Sequence, residues 1–163
     1  MTPQERTEKL ESFRKGPEML KTALAKFPRN MWDYKPSPER WSIHEIIVHV
    51  LDSDINGYIR CRKLIAEPGS AVTAFDQEAW TRTLHYDHQS VEDAIEGLKV
   101  LRESTYTLLR SIPEKVWNAH TVHHPEFGIL TMDRWLDTYE RHVEGHIGQM
   151  KKTFEAWEKA GRP

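Results

Sequence analysis

The sequence predicts an all-α protein, a four-helix bundle formed by a single domain over residues 1–163, and three observations carry that expectation. Four long stretches repeat apolar residues at three- and four-residue spacing, the mark of helices with one face turned to a core. Pro- and Gly-marked breaks separate them. The connections between them are too short or too irregular to supply a sheet, and long helices of similar length that can run antiparallel then pack as a bundle.

The first helical pattern covers residues 2 to 27 and is expected in two pieces. In "KGPEML", Gly16 and Pro17 sit where one helix can stop and another can begin with Pro in its first turn. Pro28, Pro36 and Pro38 then forbid a continuous helix, so "PRNMWDYKPSPERW" is expected as a loop presenting Trp32, Tyr34 and Trp41 to the core. The second helix opens at "SIHE", where Ser42 and Glu45 form a capping box, and runs to "EPGS" at 67 to 70. A looser segment leads to the third helix, capped by Ser90 and stopped near Ser111 by Pro113. Pro125 and Gly128 in "NAHTVHHPEFGIL" read as a tight turn between short extended pieces, a small hairpin. The last helix starts after Thr131 and ends near residue 159.

Composition excludes several classes of function. With 23 basic and 25 acidic residues and a net charge of -2, the surface suits neither nucleic acid nor an anionic membrane. No stretch approaches the roughly 18 apolar residues of a membrane span, and the charged start "MTPQERTEKL" is unlike a secretory signal, so a cytoplasmic location is expected. A lone Cys61 excludes an intramolecular disulfide and a cysteine-based zinc finger. Nine histidines are many for 163 residues and are the first compositional hint of chemistry.

Turning each residue by about 100° places those histidines. On the last helix Met132, Leu136, Tyr139, Val143, Ile147, Met150, Phe154 and Trp157 form one apolar stripe, and His142 and His146 lie on its flank beside Trp135. On the second helix His49, Ser53, Asn56 and Arg60 are spaced four, three and four apart, a polar ridge bordering the core. Two histidines one turn apart, joined by a third from a facing helix, can hold one ion through three neutral ligands and leave positions open. Such an ion keeps its full charge, so it acidifies a bound water towards a pKa of ~7 or holds a thiol as thiolate. Zn²⁺, Ni²⁺, Fe²⁺ and Mn²⁺ suit imidazole, whereas Mg²⁺ and Ca²⁺ prefer oxygen.

The spacing alone is weak, since about half an H-x-x-x-H pair is expected by chance in a chain with this many histidines. "HTVHH" supplies a control, because His120 and His124 have the same spacing in an extended or turn segment where four residues share no face. His120 and His123 read as hydrogen-bonded or solvated loop histidines, and His44, His85 and His88 as blander still. Buried histidines with satisfied hydrogen bonds remain the competing reading of His142 and His146. Glu144 is misplaced for H-E-x-x-H and projects away from the pair, which argues against a thermolysin-like mechanism.

"WSIHEIIVHVLDSDINGYIR", "HHPEFGILTMDRWLDTYERH" and "HVEGHIGQM" together resemble the DinB/YfiT-like superfamily of metal-binding four-helix bundles, its YfiT-like branch above all, over about residues 17 to 155. The resemblance implies an up-down-down-up arrangement, a divalent ion such as nickel or zinc held by His49, His142 and His146, and a homodimer in many members. It also implies a small-molecule substrate: members carry the label of metal-dependent hydrolases, while characterised relatives include bacillithiol- or mycothiol-type S-transferases and a thiol-dependent maleylpyruvate isomerase. Transfer of a low-molecular-weight thiol to small electrophiles is the leading expectation, with hydrolysis and a non-catalytic, stress-associated metal-binding dimer as alternatives. Arg60, with Asn56 beside it on the ridge, is the candidate for holding an acidic cofactor group, against a surface ion pair for Arg60. No catalytic acid or base is assigned. The chain departs from the family's "HGEHH"-type run at Val143 and Gly145, and Asp54 stands where some members carry histidine. Asp54 falls on the apolar arc of the second helix, either behind a ligand or as a buried helix-pairing acid. The same arc, including Val48, Ile55 and Ile59, is the candidate dimer contact.

Overall fold

A computed structural model of the chain describes residues 1–162. Four long helices build it: α1 (Pro3–Leu24), α2 (Ile43–Ala66), α4 (Val91–Leu109) and α6 (Met132–Lys159). Two short helices, α3 (Gln77–Thr83) and α5 (Glu114–Ala119), and a hairpin of β1 (Thr121–His124) and β2 (Gly128–Thr131) occupy the connections. Among the described residues no helix is long and apolar enough to cross a membrane.

Local chemistry sets the boundaries of the helices. Thr2 and Glu5 make a capping box at the start of α1, as Ser42 and Glu45 do for α2. Ser90 and Thr131 cap α4 and α6 by accepting from the backbone N–H of Asp93 and Arg134. The loop before α2 does bury Trp41 and packs Trp32 and Tyr34 against the core. The looser segment of residues 70–90 holds one helix the apolar pattern does not announce, α3, started by Asp76 accepting from Ala79 N–H.

Cross-helix contacts give the direction of each helix. Arg6 meets Asp133, Ser12 meets Glu140 and Phe27 meets Phe154, so α1 and α6 run parallel. Leu51 meets Gly97, Asp54 meets Arg102 and Arg62 meets Ser104, so α2 and α4 run parallel as well. Gly57 lies by Trp135, whereas His49, earlier in α2, lies by His146, so those two helices are antiparallel. Tyr106 pairs with Glu11 and Arg14 with Glu103, which makes α1 and α4 antiparallel. The order is up-down-down-up, and only the long connection of residues 67–90 lets α4 follow α2 in the same direction.

Continuous α1 corrects the expected break at Gly16 and Pro17. Pro17 has no N–H to give the carbonyl of Phe13, the loss that normally ends a helix. Arg102 on α4 replaces it, donating from Nη1 to Phe13 O at 2.9 Å. Gly16 makes the approach possible, because a Cβ there would collide with the Arg102 guanidinium. The same guanidinium binds Asp54 of α2 through Nε and Nη2 at 2.9 and 3.1 Å, and Tyr139 O of α6 at 2.9 Å. One fully buried arginine thereby ties together all four long helices. It also divides the core: one apolar cluster gathers Leu20, Trp41, Ile46, Leu98 and Met150, and the other Phe13, Leu64, Tyr106, Trp135 and Leu136.

The hairpin is antiparallel, with Val122 opposite Leu130 and His124 opposite Gly128. Residues 70–72 run beside β1 through His123 N to Ser70 O and Val72 N to His123 O, both 2.9 Å. That pairing fixes the start of the α2–α4 connection beside the hairpin, so that residues 74–78 and the hairpin turn lie over the same side of α2 and α6.

Candidate metal centre

His49 on α2 and His142 and His146 on α6 converge, each offering a ring nitrogen within 4.8 Å of the other two. His142 and His146 sit one turn apart on the flank that the angular reading assigned them. Their Nε2 atoms face each other at 3.2 Å. His146 turns its Nδ1 to the Gln149 side-chain oxygen at 3.0 Å, so that nitrogen carries the proton and Nε2 keeps its lone pair. His142 turns its Nδ1 towards Asp54, 3.9 Å from a carboxylate oxygen. Of the two roles the sequence left open for Asp54, the structure shows the buried helix-pairing one, with Arg102; His142 Nδ1 is near but makes no hydrogen bond to it.

Burial holds the three imidazoles neutral. Desolvation brings His49 down to about 3, with repulsion from His146 adding to it. Desolvation also takes His142 well below the ordinary histidine value, reinforced by His146, His49 and Arg102, and lowers His146. Neutral imidazole is the form that binds a cation. Two donors sharing one ion at ~2.0–2.1 Å stand roughly 3.0–3.4 Å apart, and the 3.2 Å between the facing Nε2 atoms fits that geometry. The donor set is all nitrogen, which suits zinc or nickel better than calcium or magnesium.

Aromatic rings wall the centre. Trp41 lies 4.5 Å from the His49 ring, centroid to centroid, and stacks towards His146 at 6.4 Å, while Phe75 stacks on His49 from the α2–α4 connection. On the remaining side a cavity of about 740 Å³ opens, lined by His49 and His142 together with Ser53, Arg60, Phe75, His124, Phe127, Thr138 and Tyr139. Asp76, Glu78 and Glu126, all exposed, complete its mouth.

Of the other residues singled out in the sequence, Arg60 lines the cavity and Asn56 does not. The surface ion pair considered for Arg60 is not what forms: its side chain is 8% exposed and donates to Tyr139 Oη at 2.9 Å and Thr73 O at 2.6 Å. Asn56 instead donates to Asp52 O within its own helix at 2.9 Å. His120 bonds Leu64 O through Nδ1, His123 is exposed on the hairpin, and His44 bridges Asp33 and Gln89 O. His85, Asp87 and His88 cluster on the surface with all three exposed.

Sequence reasoning missed Arg102 and His124. Arg102 was within reach: Leu98, Arg102, Thr105 and Leu109 follow the i, i+4, i+7, i+11 course of a buried stripe, and all are buried. An acid on the apolar arc of α2 needed such a cation. His124 had no signal, because nothing in a hairpin's two-residue period tells which helix its inward side chain will meet.

An up-down-down-up bundle with three convergent imidazoles on two of its helices defines a class of histidine-centred four-helix proteins. The chain belongs to the DinB superfamily, whose family model it matches over residues 12–150. Among its relatives is a protein of Oceanobacillus iheyensis named "Putative metal-dependent hydrolase", 23% identical over 134 residues, covering 82% of this chain and 77% of that protein. Another is YfiT of Bacillus subtilis, similarly named and also 23% identical, with 82% and 75% of the two chains covered. The solved structure of YfiT, described as a probable metal-dependent hydrolase with an unusual four-helix bundle topology, superposes with a TM-score of 0.87 over 100% of this chain and 91% of that one, at 21% identity. The likeness in fold therefore includes the unusual topology and extends through the hairpin to the last helix.

Proposed function

We propose that this chain is a metal-dependent enzyme in which His49, His142 and His146 hold a divalent transition ion, zinc or nickel, at the wall of a substrate cavity. The observation that carries the reading is the convergence of three neutral imidazoles beside that cavity. An ion bound there supplies a Lewis acid that lowers the pKa of a nucleophile placed in its open position. The chain's own residues do the rest. Asp54 lies near the His142 ring, Gln149 fixes the tautomer of His146, and Trp41 and Phe75 shield His49 from solvent.

Transfer of a low-molecular-weight thiol to a small electrophile is the reading we favour. Every buried polar group lining the cavity beyond the histidine triad is a donor or a hydroxyl: Arg60, His124, Tyr139 and Ser53. The lining carboxylates, Asp76, Glu78 and Glu126, are all exposed, and the one nearest the histidines, Glu78, is engaged by Trp41 Nε1, so no buried carboxylate of the lining stands ready to take a proton from an attacking water. A thiol deprotonates on binding and needs no such base. Hydrolysis is the second reading, favoured by the names of the relatives. The homodimer implied by the family resemblance is part of the same proposal, with Ile55 and Ile59, 36% and 54% exposed on α2, as its contact. Val48 has no share in it, being fully buried within the chain.

Metal-loaded protein assayed with monochlorobimane and a panel of biological thiols tests the activity. Conjugation that requires both thiol and metal is expected. Metal-dependent turnover of ester or amide substrates without any thiol would replace transfer by hydrolysis, and sedimentation as a monomer would remove the dimer.

A further inference from the structure

Five buried side-chain polar atoms lack a hydrogen-bond partner among the described residues, and four of them belong to residues lining the cavity beside the histidines: His49 Nδ1, His142 Nδ1, Arg60 Nε and His124 Nε2. Unpaired buried polar atoms are rare and costly, so their concentration around one space points to a ligand that completes them. The first two belong to the metal centre. The other two lie on different elements, α2 and β1, and neither is used by the three-histidine set.

Both of these atoms are donors. Arg60 spends Nη1 on Tyr139 Oη and Nη2 on Thr73 O, which fixes the guanidinium and leaves the Nε–H unpaired. His124 accepts from the backbone N–H of Glu126 at 3.2 Å and of Phe127 at 3.4 Å, both at Nδ1. A nitrogen that accepts two N–H groups carries a lone pair, so the proton resides on Nε2. That excludes His124 Nε2 as a fourth metal ligand and makes it a neutral donor. Phe127 stacks on the ring at 4.4 Å and holds it in place. Burial and the nearby Arg60 charge both lower the His124 pKa, consistent with the neutral form. Tyr139, accepting from Arg60, has its own O–H left to donate into the same space.

We propose that Arg60 Nε–H and His124 Nε2–H, assisted by the Tyr139 hydroxyl, form a carboxylate-binding subsite in the cavity, so that the small molecule presented to the metal centre carries a carboxylate. One fixed cation flanked by neutral donors matches a group of single negative charge. The lining carboxylates Asp76, Glu78 and Glu126 are all exposed at the mouth, where solvent screens their charge, whereas Arg60 and His124 are buried; Asp76 is further engaged in capping α3 and Glu78 by Trp41 Nε1. The proposal rests on the metal-enzyme reading only for what happens beyond the carboxylate.

Titration of zinc-loaded protein with benzoate and with neutral benzamide tests it. Benzoate is expected to bind at least about tenfold more tightly, and Arg60→Met and His124→Phe should each weaken it by about tenfold. His124→Phe keeps the stack on Phe127, and circular dichroism checks that both variants fold. In the unmodified chain, imidazole nitrogen resonances should place the His124 proton on Nε2 and shift when benzoate is added. Equal binding of benzamide, benzoate affinity indifferent to both substitutions, or a proton on Nδ1 would overturn the subsite. Zinc content is read separately, so loss of metal from the parent counts against the three-histidine reading and leaves the benzoate comparison to decide the carboxylate site.

Discussion

Two polar clusters sit side by side along α2 and α6, and they are built on opposite terms. The Arg102 cluster is closed: its guanidinium makes four hydrogen bonds to Asp54, Phe13 O and Tyr139 O, and no atom of Arg102 or Asp54 is among the buried unpaired ones. The histidine cluster, 3.9 Å away through Asp54 and His142, is open, with buried nitrogens unpaired and a cavity in front of them. Buried polar groups that serve the fold satisfy one another, whereas those that serve a ligand wait for it. The first kind stabilises the bundle, and the second costs it stability.

Breaking the closed cluster should have the largest effect. Arg102→Met leaves Asp54 as an uncompensated buried charge and the Phe13 carbonyl without a donor, and should cost about 3–5 kcal/mol in urea unfolding. A loss below about 1 kcal/mol would mean that the pair is not what joins the helices. Gly57, where α6 packs against α2 beside the Arg102 cluster, comes next. A Cβ there would overlap the Tyr139 ring, so Gly57→Ala should cost about 1–3 kcal/mol by the same measurement.

The open cluster should respond to pH. In chelator-treated protein His49 stays neutral down to about 3, while in the unfolded chain it takes up a proton near 6.5. Its neutral form is thus compatible with full stability above about pH 6.5, and stability falls as the pH drops, by up to ~1.4 kcal/mol per unit for one such histidine. Melting curves of metal-free parent and His49→Leu should diverge between pH 7 and 5, the parent falling more steeply. Parallel curves would show that His49 titrates normally in the folded chain. At pH 7 the smallest effect is expected: metal-free His49→Leu should be within about 1 kcal/mol of the parent or more stable, because it removes a buried unpaired nitrogen.

The contrast also explains what was legible in the sequence. The histidine triad could be placed because helical periodicity fixes which residues share a face, and His49, His142 and His146 lie on long capped helices. The flank of Arg60 was legible in the same way, though its partners on residue 73 and Tyr139 were not. Gly16 and Pro17 misled because their local chemistry says break, and the donor that overrules it comes from Arg102, far along the chain. His124 reaches the cavity only through the hairpin and its pairing with residues 70–72, long-range choices that no local pattern encodes.

The open cluster's purpose is tested most directly by elemental analysis of protein purified without a histidine tag. The account predicts one zinc or nickel ion per chain in the parent and none in His49→Ala or His146→Ala, with helical content unchanged in both. Undiminished metal in both folded variants would contradict it.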